Sequence, residues 1–270
     1  LKIVITGATG KLGRMVVENL LTKLPPEQVS LSVRDEKKAR DFEARGVTVR
    51  YGDFEDPKSL DKAFAGANTI LLVSPNSVGE AAVQQHRAAI DAAKKSGATR
   101  VLYTSHMGSS PNSEFPPMQT HAAAESYLTD SKVHFSSMRN GFYADSATIL
   151  LGDAVRTGEL RMPEDGPVAW TAHADLAEVT SKLLQNGEMS GASASMTGGE
   201  ALDFTQIAKI VSEFTGREVP KARAAVMLGM FRASRKGEFA KTDPTLKNIL
   251  GRAPISMRDV LAKTLARSMM

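Results

Sequence analysis

Apolar and polar positions along this chain change period at regular intervals. From residue 2 to residue 139, short apolar runs of strand length alternate with stretches of helical spacing. Lys2–Thr6 predicts a strand and Lys11–Lys23 a helix. Val29–Arg34 predicts a strand, Glu36–Arg45 a helix closed by Gly46, and Val47–Tyr51 a strand. Asp56-Pro57 marks a helix start, with aspartate at the N-cap and proline at the first helical position. Thr69–Ser74 follows as a buried strand, Gly79–Ser96 as a helix and Arg100–Thr104 as a strand. Gln119–Ser131 then reads as a helix and Val133–Arg139 as a strand. Continuous apolar strands joined by helices imply an α/β fold, a doubly wound parallel sheet covered on both faces.

Past residue 150 the pattern loosens. Pro163–Trp170 predicts a strand with a helix over Ala174–Gln185 behind it; Phe204–Thr215 and Ile255–Leu265 predict further helices. The expected division is residues 1–150 as the sheet domain and 151–270 mainly as a smaller C-terminal α/β lobe. The helix near 174–185 is expected to pack back on the sheet.

Composition narrows the chemistry. The 270 residues are 42% hydrophobic, enough for a sizeable core, and include no cysteine. That removes disulfides, thiolate nucleophiles and cysteine-bound zinc together, and it fits a reducing compartment. No apolar run approaches the roughly 20 residues that a membrane span needs. The sequence opens directly into strand-like residues, so a cytoplasmic protein without membrane attachment is expected. The net charge of +4 is uneven: Arg217 to Arg252 holds nine Lys or Arg against three Asp or Glu. This window reads as a solvated face of C-terminal helices or as a basic patch for nucleic acid or an anionic substrate. Its only aromatics are Phe231 and Phe239, a poor platform for stacking bases, so no nucleic-acid partner is expected.

The first strand runs into Gly7-Ala-Thr-Gly-Lys-Leu-Gly13, directly before a helix. Glycines in that context form a dinucleotide-binding turn. The first allows the tight turn, the second admits pyrophosphate close to backbone, and the third lets helix and strand pack. The N–H groups at the helix start are then free for phosphate. Thr9, Lys11 and Leu12 lie in the same loop. A tight turn without ligand is the alternative.

The end of the second strand selects the cofactor. A carboxylate there binds a ribose 2′-hydroxyl, and a cation binds a 2′-phosphate. Arg34 stands at that end, with Lys37 and Lys38 just after. This favours NADP(H), although Asp35 and Glu36 keep an NAD-type reading open. After the third strand, Asp53 is placed to accept from an adenine amino group while Phe54 borders the ring. Alternatively, Asp53 belongs to a turn and bonds to its own backbone.

Taken in order, the glycine loop, Val33-Arg34, Gly52-Asp53-Phe54 and Arg139-Asn-Gly-Phe-Tyr143 resemble the NmrA-like branch of atypical short-chain dehydrogenases. Gln85-His86-Arg87, Tyr103-Thr104-Ser105 and Trp170-Thr-Ala-His-Ala-Asp-Leu-Ala177 extend the likeness over most of the chain. The resemblance implies a Rossmann-type sheet that binds NADP(H) along the carboxyl ends of its strands. It also implies a substrate cleft between that edge and the C-terminal lobe. Quinone and triphenylmethane reductases are the members it points to, and a non-catalytic NADP(H)-sensing regulator is the alternative.

Carbonyl-reducing relatives use a Tyr-x-x-x-Lys pair. Four residues beyond Tyr51, Tyr103, Tyr127 and Tyr143 stand Glu55, Met107, Ser131 and Ala147, so the pair is absent. The helix that would carry it holds His121 and Glu125 instead, one turn apart. Glu125 is expected to orient the His121 imidazole and raise its pKa, making His121 a proton donor or substrate guide. A local helix-start contact is the alternative. A quinone needs little acid help, because its reduced form is a phenolate whose conjugate acid has a pKa of about 10. A cationic dye needs none. An enone or imine reductase with a biosynthetic substrate fits the same residues.

The remaining candidates come from strand ends. Ser74 and Pro75 are expected beside the nicotinamide ribose, and Thr104 and Ser105 along the cofactor. Asn140 is a candidate to bond the carboxamide or the acceptor oxygen. His106, Phe142 and Tyr143 are candidates for the walls of an aromatic or conjugated substrate, with Tyr143 also near the chemistry. Phe142 also fits ordinary packing. His86 shares a face with Val83, Ile90 and Ala93 and reads as a core histidine; His134 and His173 read as structural. The five histidines show no ligand spacing, so no metal is expected. A homodimer is compatible with the sequence.

Overall fold

The computed structural model describes residues 1–152, 154–157, 159–186, 189, 193–216, 221–223 and 229–268. Its first half alternates strand and helix: β1 (Ile3–Thr6), α1 (Lys11–Leu21), β2 (Val29–Val33), α2 (Arg40–Glu43), β3 (Thr48–Tyr51), α3 (Pro57–Ala63), β4 (Thr69–Leu72), α4 (Gly79–Lys95), β5 (Arg100–His106), α5 (Pro116–Ser131) and β6 (Phe135–Asn140). The second half holds β7 (Phe142–Tyr143), α6 (Ala144–Leu151), α7 (Ala154–Thr157), β8 (Leu160–Met162), β9 (Trp170–Thr171), α8 (His173–Asn186) and β10 (Ser193–Met196). It ends with α9 (Phe204–Thr215), β11 (Lys221–Arg223), α10 (Gly229–Arg235), α11 (Thr245–Leu250) and α12 (Met257–Ser268).

Seven strands form one parallel sheet in the order β10-β6-β5-β4-β1-β2-β3. The chain starts at β1, winds outward to β3, and returns to build the other side from β4. The crevice between β1 and β4, where Ile3 pairs with both Val29 and Thr69, is the topological switch point. Strand alternation sorts the side chains. Ile3, Ile5, Leu71 and Leu102 bury against α1 and α8, while Val4, Ile70, Leu72, Val101 and Tyr103 bury against α3, α4 and α5. Continuous apolar strands were needed because both faces are covered.

Local signals explain several boundaries. The Asp56 side chain accepts the Ser59 N–H and Pro57 takes the first position of α3. Asp203 and Gln206 close a capping box on α9. The expected helix over 36–45 is shorter and split: Glu36–Ala39 forms a 3-10 turn before α2. The strand expected over Pro163–Trp170 is replaced by irregular chain that joins β9 only at its end, with a single bridge between Val168 and Leu202. Two prolines, Pro163 and Pro167, remove ladder donors there.

The helix near 174–185, observed as α8, packs along α1. β10 adds a strand beside β6, with Met196 opposite Asn140, so the chain returns to the main sheet after residue 190. The lobe core is separate. Phe204, Phe231, Phe239, Met257 and Leu261 pack with Trp170, whose Nε1–H donates to the Leu202 carbonyl at 3.0 Å. Asp175, fully buried at the start of α8, joins lobe to sheet: Arg252 Nη1 lies 2.7 Å from Oδ1, and the Ile255 N–H donates to Oδ2. In the basic window, Lys236 pairs with Glu114, Arg235 with Glu164, and Arg252 also with Glu178. Arg217 lies outside the described residues. No described helix is long and apolar enough to cross a membrane.

Candidate functional site

A cleft of about 670 Å³ opens at the carboxyl ends of β1, β2 and β4. Its floor is the glycine loop. Gly7 adopts φ +62°, a conformation that disfavours other residues, and a Cβ there would meet Val73 at 2.9 Å. A Cβ on Gly13 would overlap the Gly7 carbonyl oxygen, so α1 lies directly on the turn. Gly10 occupies the N-cap of α1 with no capping side chain and no acidic residue in the first turn. The α1 N-terminus therefore faces the cleft with uncapped N–H groups and a partial positive charge, a ready seat for pyrophosphate.

The far end carries the cations. Arg34 and Lys38 line the cleft, are exposed, and make no ion pair among the described residues. Asp35, the competing carboxylate, caps the following turn by accepting the Lys37 N–H at 3.1 Å. Nearby, Ser32 Oγ is buried without a protein partner. Asp53 lines the cleft, and its Oδ1 accepts the Glu55 N–H at 3.1 Å, the local turn bond that the alternative reading expected. Phe54 borders the same space. This set fits an NADP(H) molecule. The glycine cradle suits the pyrophosphate, and two unpaired cations suit a 2′-phosphate.

Thr9, Lys11, Leu12, Ser74, Pro75 and Tyr143 also line the cleft. Thr104 and Ser105 do not; they lie behind it. Thr104 Oγ1 accepts the Ser74 N–H at 2.9 Å, and the Ser74 hydroxyl donates to the Thr104 carbonyl at 2.7 Å. Thr6, Ser32, Val73, Asn76, Ser77, Gln85 and His173 line it too, and sequence reasoning did not single them out for it. Among these, His173 had a readable signal, since its segment follows a strand end. Its Nδ1 meets Asp145 Oδ2, and Lys11 Nζ lies 2.5 Å from Asp145 Oδ1. Burial opposes the Asp145 charge, but Lys11 and His173 hold its carboxyl below the usual range. The Tyr143 ring packs on His173 with centroids 4.2 Å apart.

The expected His121–Glu125 pair does not form. Glu125 turns to β6, where Arg139 binds it in a fork at 3.0 and 2.6 Å and Ser137 donates at 2.8 Å. Burial works against the Glu125 charge, yet these donors and Ser105 lower its pKa. A guanidinium fork is a far stronger partner than a neutral imidazole. His121 instead places Nδ1 2.8 Å from the Tyr103 hydroxyl. Its pKa is lowered rather than raised: burial, with His86 adding to it, pushes the imidazole down to about 4, against a weaker pull from Glu125.

His86 is buried but not isolated. Its Nε2 lies 3.2 Å from both Ser74 Oγ and Tyr103 Oη, and burial brings its pKa to about 4. His106 packs edge-on against Phe142 and Phe239, and its Nδ1 accepts the Gly108 N–H. Phe142 sits among Phe115, Trp170 and Phe239 in the lobe core. Neither His106 nor Phe142 lines the cleft. Asn140 is buried and does not line the cleft; neither of its amide atoms makes a well-aligned hydrogen bond. Burial raises the Tyr143 phenol, and Asn140 opposes that weakly.

A model of the NmrA-like family matches residues 1–229. The chain belongs to the NmrA-like family. Among NmrA-like relatives, it is 33% identical to Quinone oxidoreductase 2 of Escherichia coli (strain K12) over 220 residues, 80% of this chain and 76% of that one. An E. coli NADPH-dependent quinone oxidoreductase solved in complex with NADPH superposes with a TM-score of 0.90 at 27% identity, covering 97% of this chain and 99% of that chain. The triphenylmethane reductase of Citrobacter sp. superposes with a TM-score of 0.91 at 26% identity, covering 98% and 100%.

Proposed function

We propose that this NmrA-like protein transfers hydride from NADPH to a quinone-like or other electron-poor conjugated acceptor. At the coarser level the chain is an NAD(P)H-dependent oxidoreductase that binds NADP(H). The observation that carries the cofactor reading is the uncapped glycine cradle with unpaired Arg34 and Lys38 at its far end. The acceptor class rests on the missing Tyr-x-x-x-Lys pair and on the reductases to which the chain is similar. Bound NADPH supplies the hydride. The chain's own task is to seat the pyrophosphate on α1, hold the 2′-phosphate with Arg34 and Lys38, and place the acceptor beside Ser74, Pro75 and Tyr143. Orientation and a shaped pocket are most of what such a transfer requires.

Direct transfer is tested with NADPH deuterated at the reactive nicotinamide carbon and a cationic triphenylmethane dye. Deuterium found at the central carbon of the colourless product supports the reading. Loss of the label to water overturns direct transfer. Intact NADPH binding without reduction of any acceptor favours the sensing alternative.

A further inference from the structure

Four polar groups from three elements and one loop form a continuous line that leads away from the cleft. Ser74 lines the cleft just beyond β4. Its Oγ lies 3.2 Å from Nε2 of His86 on α4. The same nitrogen lies 3.2 Å from the hydroxyl of Tyr103 on β5, and that hydroxyl lies 2.8 Å from Nδ1 of His121 on α5. Tyr103 is fully buried and His86 nearly so, while His121 keeps some solvent contact. Polar groups placed in an apolar interior cost free energy and are usually satisfied locally. Here they join the cleft wall to a half-buried position in the second turn of α5.

We propose that Ser74, His86, Tyr103 and His121 are a proton relay that delivers the proton with which the reduced quinone leaves the cleft as a neutral hydroquinone. The proposal rests on the functional reading above and deepens it. A quinone that accepts a hydride becomes a hydroquinone monoanion, which needs one proton to leave as the neutral hydroquinone. The Ser74 hydroxyl turns from the Thr104 carbonyl to the product, and its O–H bond breaks as the product O–H bond forms. The Tyr103 hydroxyl gives its proton to His86 Nε2 as it takes one from His121 Nδ1, and the short-lived His86 imidazolium then gives the Nε2 proton to Ser74 Oγ. His121 regains a proton from water at Nε2, changing tautomer and remaining neutral. Nδ1 of His86 is buried without a well-aligned partner, so the transfers run through Nε2 alone, which takes the Tyr103 proton before it gives one to Ser74. One proton leaves water and one reaches the product; the hydride from NADPH carries both electrons.

The groups around the line leave it neutral. Glu125 is held by Arg139, Ser137 and Ser109, and His106 by the Gly108 N–H. Neutral imidazoles beside a phenol are suited to passing a proton without a stable buried charge. Only Ser74 would touch the product; His86, Tyr103 and His121 act through it.

Tyr103→Phe removes the hydroxyl that joins the two histidines while filling the same space. The full-length variant is compared with the wild type using NADPH and two acceptors, a benzoquinone and a cationic triphenylmethane dye. The dye accepts hydride and needs no proton. The relay predicts that the quinone-to-dye turnover ratio falls at least about tenfold, less than the roughly hundredfold or more of a full general acid because the phenolate also gains a proton from water. His121→Gln keeps a hydrogen-bonding side chain that cannot shuttle a proton, and it should give the same selective loss. Without cofactor, ¹⁵N spectra of the histidine rings provide a second readout: Tyr103→Phe should shift both His86 Nε2 and His121 Nδ1. An unchanged ratio in both variants, or spectra in which only one ring responds, overturns the relay and leaves the functional reading standing. Wild-type protein that binds NADPH and reduces neither acceptor overturns both.

Discussion

Replacing Arg34 by Asp tests the cofactor assignment at one atom group. Arg34 is exposed at the end of β2, lines the cleft and has no ion-pair partner among the described residues. The substitution therefore breaks no internal bond, and its effect reports on ligand alone. A hydrogen bond to a charged group contributes about 1.5–3 kcal/mol. The lower part of that range applies, because the site is open to water and Lys38 remains. A new carboxylate near the phosphate adds repulsion of about 1 kcal/mol at water-like dielectric. The sum, about 2.5–3 kcal/mol, corresponds to a loss of NADPH affinity on the order of 100-fold. NADH lacks the phosphate, so its affinity should change by less than about threefold, under 1 kcal/mol. Fluorescence titration of both cofactors at low and moderate salt measures this, and the NADPH penalty should shrink as salt rises. Equal losses for NADPH and NADH would refute the 2′-phosphate assignment.

Three further outcomes follow from the packing and the buried charges. Gly13→Ala places a methyl against the Gly7 carbonyl oxygen, where backbone must move; a stability loss of about 1–3 kcal/mol by urea denaturation and weakened NADPH binding are expected, and wild-type values for both would contradict the packing. Glu125→Ala leaves Arg139 half-buried without its fork; a loss of about 2–3 kcal/mol is expected, less than for a fully buried pair because Arg139 keeps some water, and a change under about 0.5 kcal/mol would contradict it. Burial holds His86 and His121 at about 4 and His106 at about 3, so the unfolded chain binds protons that the folded chain refuses. Stability is then complete above the unfolded histidine value of about 6.5 and falls as pH drops toward 4, so Tm should decrease steadily across that window; a flat Tm would show that these rings are protonated in the fold.

The parts of the fold legible in sequence are those fixed by local pattern. The alternation through β6 shows because each strand is apolar on both faces, and the glycine loop shows because turn, strand and helix are contiguous. β10 was not legible: Ser193–Met196 is short, only its last residue is buried, and it becomes a strand by pairing with β6 more than fifty residues earlier. α6 was missed because Ala144–Leu151 combines a short apolar stretch with an exposed Ile149. In the site, helical spacing put His121 and Glu125 one turn apart on α5, but spacing ignores competing partners. Ser137 and Arg139 alternate on one face of β6, and such a polar pair in a covered strand calls for a buried carboxylate. Tyr103 in the middle of an apolar strand likewise needs a partner for its hydroxyl, a signal that would have pointed to His86 and His121. The positions of Phe142 and His106 inside the lobe core depend on Phe239, a contact no local pattern carries.

The most direct test of the central claim is NADPH oxidation by the purified protein with a short panel of benzoquinones and naphthoquinones, with NADH in parallel. The account predicts rapid oxidation across several quinones, with NADPH preferred over NADH. Tight NADPH binding with no quinone reduced, or turnover indifferent to the 2′-phosphate, would contradict it.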